Sequence, residues 1–162
     1  MRRSSSGISP VVATVILVAI AIVIAIAVAF WASGLVGVFT RFEKIEIVSA
    51  YATPGTTAGT YDVTVVAKNT GSSSATIDQI MINGVPAYNV TASGCEAIDG
   101  ASPPGISTDG LGDCEITGSA ALTPGASATI TMTITPESPG ITIEVAVHTA
   151  SGKLYPSSVL LP

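Results

Sequence analysis

Hydrophobic positions obey two different rules along this chain. From Ile8 through Thr40 they are nearly continuous: no charged residue interrupts 33 positions, and thirteen of the residues from Val11 to Phe30 are Ile, Val, Leu or Phe. Beyond Arg41 they alternate. Ile130, Met132 and Ile134 are separated by threonines from Thr129 to Thr135, and Ile141, Ile143, Val145 and Val147 alternate with Thr142, Glu144, Ala146 and His148. Tyr61, Val63, Val65 and Ala67 repeat the pattern against Asp62, Thr64, Val66 and Lys68. The first rule predicts a helix able to cross a bilayer of roughly 30 Å, which takes about 20 residues. The second predicts half-buried antiparallel strands with one wet face.

The apolar run is rich in β-branched residues, which in water lean toward strand. In lipid the choice is forced, because a single segment satisfies all its backbone groups only as a helix. Ser9 is a candidate cap, and Pro10 suits the first helical turn, where its missing N–H costs nothing. The thirteen large apolar residues contribute roughly −4 to −8 kcal/mol to insertion. Continued to about Phe42, the helix would be about 50 Å long, so part of it should emerge from the bilayer. Gly34 and Gly37 fall at that exit, where they weaken the helix and permit a bend. Arg2 and Arg3 precede the run, whereas Arg41 and Lys44 are interleaved with Glu43 and Glu46, which puts the N-terminus in the cytoplasm and the remainder outside. The run is too long and too uniform for a generic secretory signal. Composition alone fits a plain single-pass anchor carrying a monomeric surface binding domain equally well.

In the second part, turn signals recur at Pro54-Gly55, Asn69-Thr70-Gly71, Asn83-Gly84, Pro124-Gly125, Ser138-Pro139-Gly140 and Ser151-Gly152. Short strands so punctuated, with no second helical pattern, predict an all-β immunoglobulin-like sandwich over 45–162, with 45–53 and 153–161 as first and last strands. The fold class is thus α+β: a long hydrophobic N-terminal helix over 8–44, then an all-β domain. Cys95 and Cys114 bracket a segment rich in Gly, Pro and Asp. An exterior location favours their oxidation to a disulfide over two free thiols, and closing about 20 residues contributes roughly 3 kcal/mol in the loop-entropy picture.

Charge narrows the chemistry. Six Lys+Arg against eleven Asp+Glu cannot build the basic face that nucleic acid requires. His148 is the sole histidine and reads as a satisfied strand residue; with no nucleophile elbow or phosphate-binding glycine loop, no enzyme activity, cofactor or metal is expected. Asp99, Asp109 and Asp113 could offer oxygens to calcium, but their spacing matches no established loop, and the segment reads as a solvated acidic loop. Asn89-Val90-Thr91 is a sequon, making Asn89 a glycosylation candidate, with an unused sequon as the alternative. Tyr51, Tyr61, Tyr88 and Tyr155 fit core and adhesive surface alike.

The string MRRSSSG followed by ISPVVATVILVAIAIVIAIAVAFW resembles the N-terminus of archaeal type IV pilins: a short basic leader ending in Gly, a Ser-Pro-Val opening and an uninterrupted apolar helix. The resemblance covers about 40 residues and implies several things together. Residues 1–7 would be a class III signal peptide, cut between Gly7 and Ile8 by a prepilin-peptidase-like protease, with the hydrophobic stretch retained. Val11, Val12, Val15, Ile16, Ile20, Ile22, Ile24, Ile26, Phe30 and Trp31 would then lie in the core of a helical filament of identical subunits, extracted from the membrane by an assembly ATPase and platform. The product would be an extracellular adhesion filament at the cell surface. Bacterial type IV pilins carry a glutamate where Val12 stands, so pairing of that acid with a neighbour's amino terminus does not carry over. Ser6 stands where many archaeal leaders have Lys or Arg, and archaellins, the motility-filament alternative, differ from this chain in the Ser-Pro-Val opening.

Overall fold

The computed structural model describes residues 9–92 and 94–162. The proposed cut between Gly7 and Ile8 lies outside them. The chain divides at Arg41/Phe42 into a helical unit and a compact β unit.

The helical unit is α1 (Pro10–Phe39), thirty residues and about 45 Å long at 1.5 Å per residue. Pro10 is its first residue, and the Ala13 amide donates to the Ser9 carbonyl at 3.1 Å, so Ser9 holds the N-cap position. The helix continues through Gly34 and Gly37. One expectation is corrected here. The helix stops at Phe39, short of Phe42 and of residue 44. The physical reason lies in Phe42, whose N–H donates to Ser72 Oγ at 3.0 Å and whose carbonyl accepts from the Ser72 and Ser73 amides. Those backbone groups serve the β unit and are lost to a helical ladder.

The β unit contains β1 (Ile45–Pro54), β2 (Tyr61–Asn69), β3 (Ala75–Ile82), β4 (Val85–Thr91), β5 (Gly94–Ala97), β6 (Ile106–Thr117), β7 (Ala121–Leu122), β8 (Ser127–Pro136), β9 (Thr142–Thr149) and β10 (Leu154–Leu160). One sheet has the order β1-β2-β8-β6 and the other β10-β9-β3-β4-β5, with the short β7 beside β3; every pairing is antiparallel. Counting strands along the chain, these are the A-B-E-D and G-F-C-C′-C″ orders of a variable-type immunoglobulin sandwich. β1 and β10 come together where the sheets meet along one side. They run in the same direction, since Lys153 Nζ donates to the Glu43 carbonyl at the start of both and the Tyr61 hydroxyl donates to the Pro162 carbonyl at their far ends. β5 and β6 close the opposite side.

The period-two pattern places the core. Val63, Val65 and Ala67 of β2 and Ile130, Met132 and Ile134 of β8 face Ile77, Ile80 and Ile82 of β3 and Ile143, Val145 and Val147 of β9, all buried. The turn signals land between strands, and Asn83-Gly84 adopts positive φ at both residues (48° and 80°), the backbone a two-residue hairpin with right-handed strand twist requires. Asn69-Thr70-Gly71 does more than turn the chain. Asn69 is wholly buried, and its amide donates to the Ser73 and Leu122 carbonyls (2.8 and 2.9 Å) while its Oδ1 accepts from the Gly71 amide at 2.9 Å. Gly71 is held so close to residues 42–44 that a Cβ there would stand 2.5 Å from the Phe42 carbonyl. A glycine is the residue that allows this approach, which fixes the start of β1.

Candidate functional surfaces

The helix is the largest exposed apolar feature among the described residues. Val15, Ile16, Leu17 and Val18 are consecutive, at about 100° steps around an α-helix, and all are exposed, from 50% to 68%. Four residues so spaced point in directions spread over about 300° of the circumference, so this stretch of α1 presents no polar face. Val11, Val12, Ile20, Ile22, Ile24, Ile26, Phe30 and Trp31 are exposed in the same way. Pro10–Leu35 is long and apolar enough to cross a membrane. A helix apolar on every side has to be covered by lipid or by other helices.

Cys95 on β5 and Cys114 on β6 form a disulfide with a Cα–Cα distance of 5.4 Å. It joins the two sheets along their shared edge. In antibody domains the bridge crosses the centre of the sandwich between strands B and F, so this position differs although the strand order is the same. The segment between the cysteines corrects the sequence reading in part. Residues from Ile106 belong to a long edge strand, with register breaks between Ile106 and Leu111 and between Leu111 and Cys114, and Asp109 takes φ 61° in the first of them. Bulges accommodate the Gly-rich sequence Asp-Gly-Leu-Gly-Asp that period-two reading assigns to a loop. Among the described residues no three His, Cys, Asp or Glu side chains converge in a way that would hold a metal ion.

Charge is segregated across the sandwich. From Asn69 to Gly152 there is no Lys or Arg, while eight of the eleven carboxylates lie there. Five of those eight, Glu96, Asp99, Asp109, Asp113 and Glu115, lie on β5, β6 and their connection, and all are exposed. The cations Lys44, Lys68 and Lys153 sit at the starts of β1 and β10 and on β2. The β5/β6 edge is acidic, whereas the lysines at β1, β2 and β10 are interleaved with Glu43, Glu46 and Asp62.

The remaining candidates separate cleanly. Asn89 is exposed on β4, where its Oδ1 accepts from Gln79 Nε2 at 3.3 Å, so the sequon is accessible on a strand. His148 Nδ1 lies 2.6 Å from Asp78 Oδ1 across β9 and β3, a cross-strand pair on the outer face. Of the tyrosines, Tyr88 is fully buried and donates to the Thr133 carbonyl of the other sheet at 3.1 Å, Tyr61 and Tyr155 are half-buried, and Tyr51 is half exposed. Burial chiefly, and the charge of Asp113 second, hold the Tyr88 hydroxyl well above the ordinary phenolic range.

No protein-family model and no curated protein matches the chain. Among solved structures, the chain is similar to the archaellum periplasmic stator protein FlaG from Sulfolobus acidocaldarius at 16% identity and TM-score 0.43, over 72% of this chain and 99% of that one. The stator complex of FlaF and FlaG from the same organism gives 15% identity and TM-score 0.42, over 72% and 89%. A likeness this distant carries no function across.

Proposed function

We propose that this chain is the structural subunit of an archaeal type IV-like pilus. The observation that carries the reading is a thirty-residue helix, apolar on every side, joined to a β-sandwich with a core of its own. The pilin-like leader and Ser-Pro-Val opening supply the second support. The subunit waits in the membrane with α1 in lipid and the β unit outside. The leader is cut between Gly7 and Ile8, and the helix passes from lipid into a bundle of identical helices, so that the filament core takes over the burial the bilayer provided. Contacts of this kind are heterologous and do not close, which yields an open filament with β domains as its sheath. No chemistry is required of the chain, and it acts as a building block of an adhesion filament.

The test is electron microscopy of material sheared from cells, with mass spectrometry of the subunit's N-terminus. Filaments built of chains that begin at Ile8 are expected. Filament subunits retaining Met1 or Arg2, or a processed or unprocessed chain found only as a detergent-extracted monomer, would overturn the reading in favour of a plain anchored domain.

A further inference from the structure

The two sides of the sandwich are chemically opposite, and the difference has a direction. The exposed large hydrophobic residues described in the β unit are Phe42, Val48, Tyr51, Leu154 and Leu160, from 50% to 60% exposed. Val48 and Tyr51 belong to β1, Leu154 and Leu160 to β10, and Phe42 precedes β1 by two residues; β1 and β10 are the neighbouring strands of one edge. β10 contains no charged residue. The opposite edge presents the five exposed carboxylates and the disulfide. Exposed apolar residues gathered on one edge mark an interaction surface.

We propose that this edge seats the emergent end of α1, from Phe30 onward, of a neighbouring copy of the chain, with the β5/β6 edge turned outward to solvent. The proposal rests on the polymeric reading above and assigns its subunits an orientation. Three observations select the occupant. The last third of α1 joins the β unit along the chain, so in the filament it stands where helical core gives way to sheath, and its Phe30 (76% exposed) and Trp31 (67%) need an apolar cover there. Copies cut before Ile8 carry a formal net charge of −7 and repel one another, and an uncharged helix meeting the charge-free β10 adds no carboxylate contact. Pairing by strand addition is disfavoured, because Pro156 removes a donor from β10 and β1 is bulged between Ile47 and Ser49. Side-chain contact with a helix remains.

The experiment uses the full chain in cells, with a benzophenone amino acid at Tyr51, at Leu160 or, as control, at Glu96, and a mixed light and heavy-isotope subunit pool. After irradiation, sheared filaments are digested and cross-linked peptides identified. Probes at 51 and 160 are expected to capture a peptide containing Phe30–Phe39 from a second copy, and this product should be lost with the probe at 96. A parallel pair of variants, Tyr51→Lys with Leu160→Lys against Glu96→Lys, should lose filaments in the first case and keep them in the second, while both chains accumulate with the disulfide intact. Filaments in which positions 51 and 160 capture β-domain peptides, lipid, another protein or nothing would overturn the orientation alone. Absence of filaments from the unaltered chain would remove the polymeric reading and this inference with it.

Discussion

Tyr88 shows how one residue decides both packing and response to pH. Its ring is buried on β4 and its hydroxyl reaches across the sandwich to the Thr133 carbonyl, and burial favours the neutral form. With its proton affinity raised above the unfolded value of about 10, the folded state holds a proton where the unfolded chain releases it. The stabilisation is complete below about pH 10 and is lost as pH rises further. Thermal melting of the protein should therefore hold through neutral pH and fall steeply above about 10, with a shallower fall in Tyr88→Phe. At pH 7 the same variant should cost about 1 kcal/mol, the net worth of one neutral hydrogen bond. An identical alkaline slope in the variant would show that burial of this hydroxyl is not the cause.

At the level of elements, α1 and the β5/β6 pair carry the sharpest expectations. Ile22→Asp puts a carboxylate in the middle of a helix that has apolar neighbours on every side, at about 2.5–3.5 kcal/mol on the insertion scale. Assembly should fail in this variant while the β unit still folds, and filaments at normal yield would show that α1 is not the buried shaft. The disulfide joins a four-residue edge strand to a strand broken by two bulges, where ladder hydrogen bonding is weakest. Replacing Cys95 and Cys114 by Ser should lower the unfolding free energy by roughly 3 kcal/mol, read from denaturant midpoints, with the circular dichroism spectrum retained. A cost near zero would mean that β5 and β6 are held by packing alone.

The whole molecule is poor in charge, at 10% Asp, Glu, Lys and Arg, and five of its eleven carboxylates lie on the β5/β6 edge, which has no lysine. Salt-bridge networks are therefore a minor term in any assembly it forms, and buried apolar helix is the major one. Screening acts on exposed charge pairs, whereas high salt leaves apolar burial intact or strengthens it. Filament length measured by electron microscopy should survive molar salt and shorten in detergents that solvate apolar helices. Disassembly by salt alone would place the holding contacts between charged β-domain surfaces.

Local periodicity determined more of this protein than any single motif. An uncharged run of 33 residues admits one conformation in lipid, and alternation in β2 and β8 told inside from outside because side-chain direction in a strand has a period of two; in β9 it did so except at Ala146, which is buried. Turn residues were legible for the same local reason, as with Asn83-Gly84 and its two positive φ angles. The bulged strand at 106–117 was hidden because bulges break the period that identifies strands, and the end of α1 at Phe39 was hidden because its stop comes from Ser72 and Ser73, some thirty residues away. Which tyrosine is core was likewise decided by Tyr88 finding the Thr133 carbonyl on the other sheet. The two-edged character of the domain belongs wholly to the tertiary structure: Glu96 and Glu115, or Val48 and Leu160, become neighbours in function only when strand order brings β5 beside β6 and β1 beside β10. Strand order is set by long-range packing, and no local pattern encodes it.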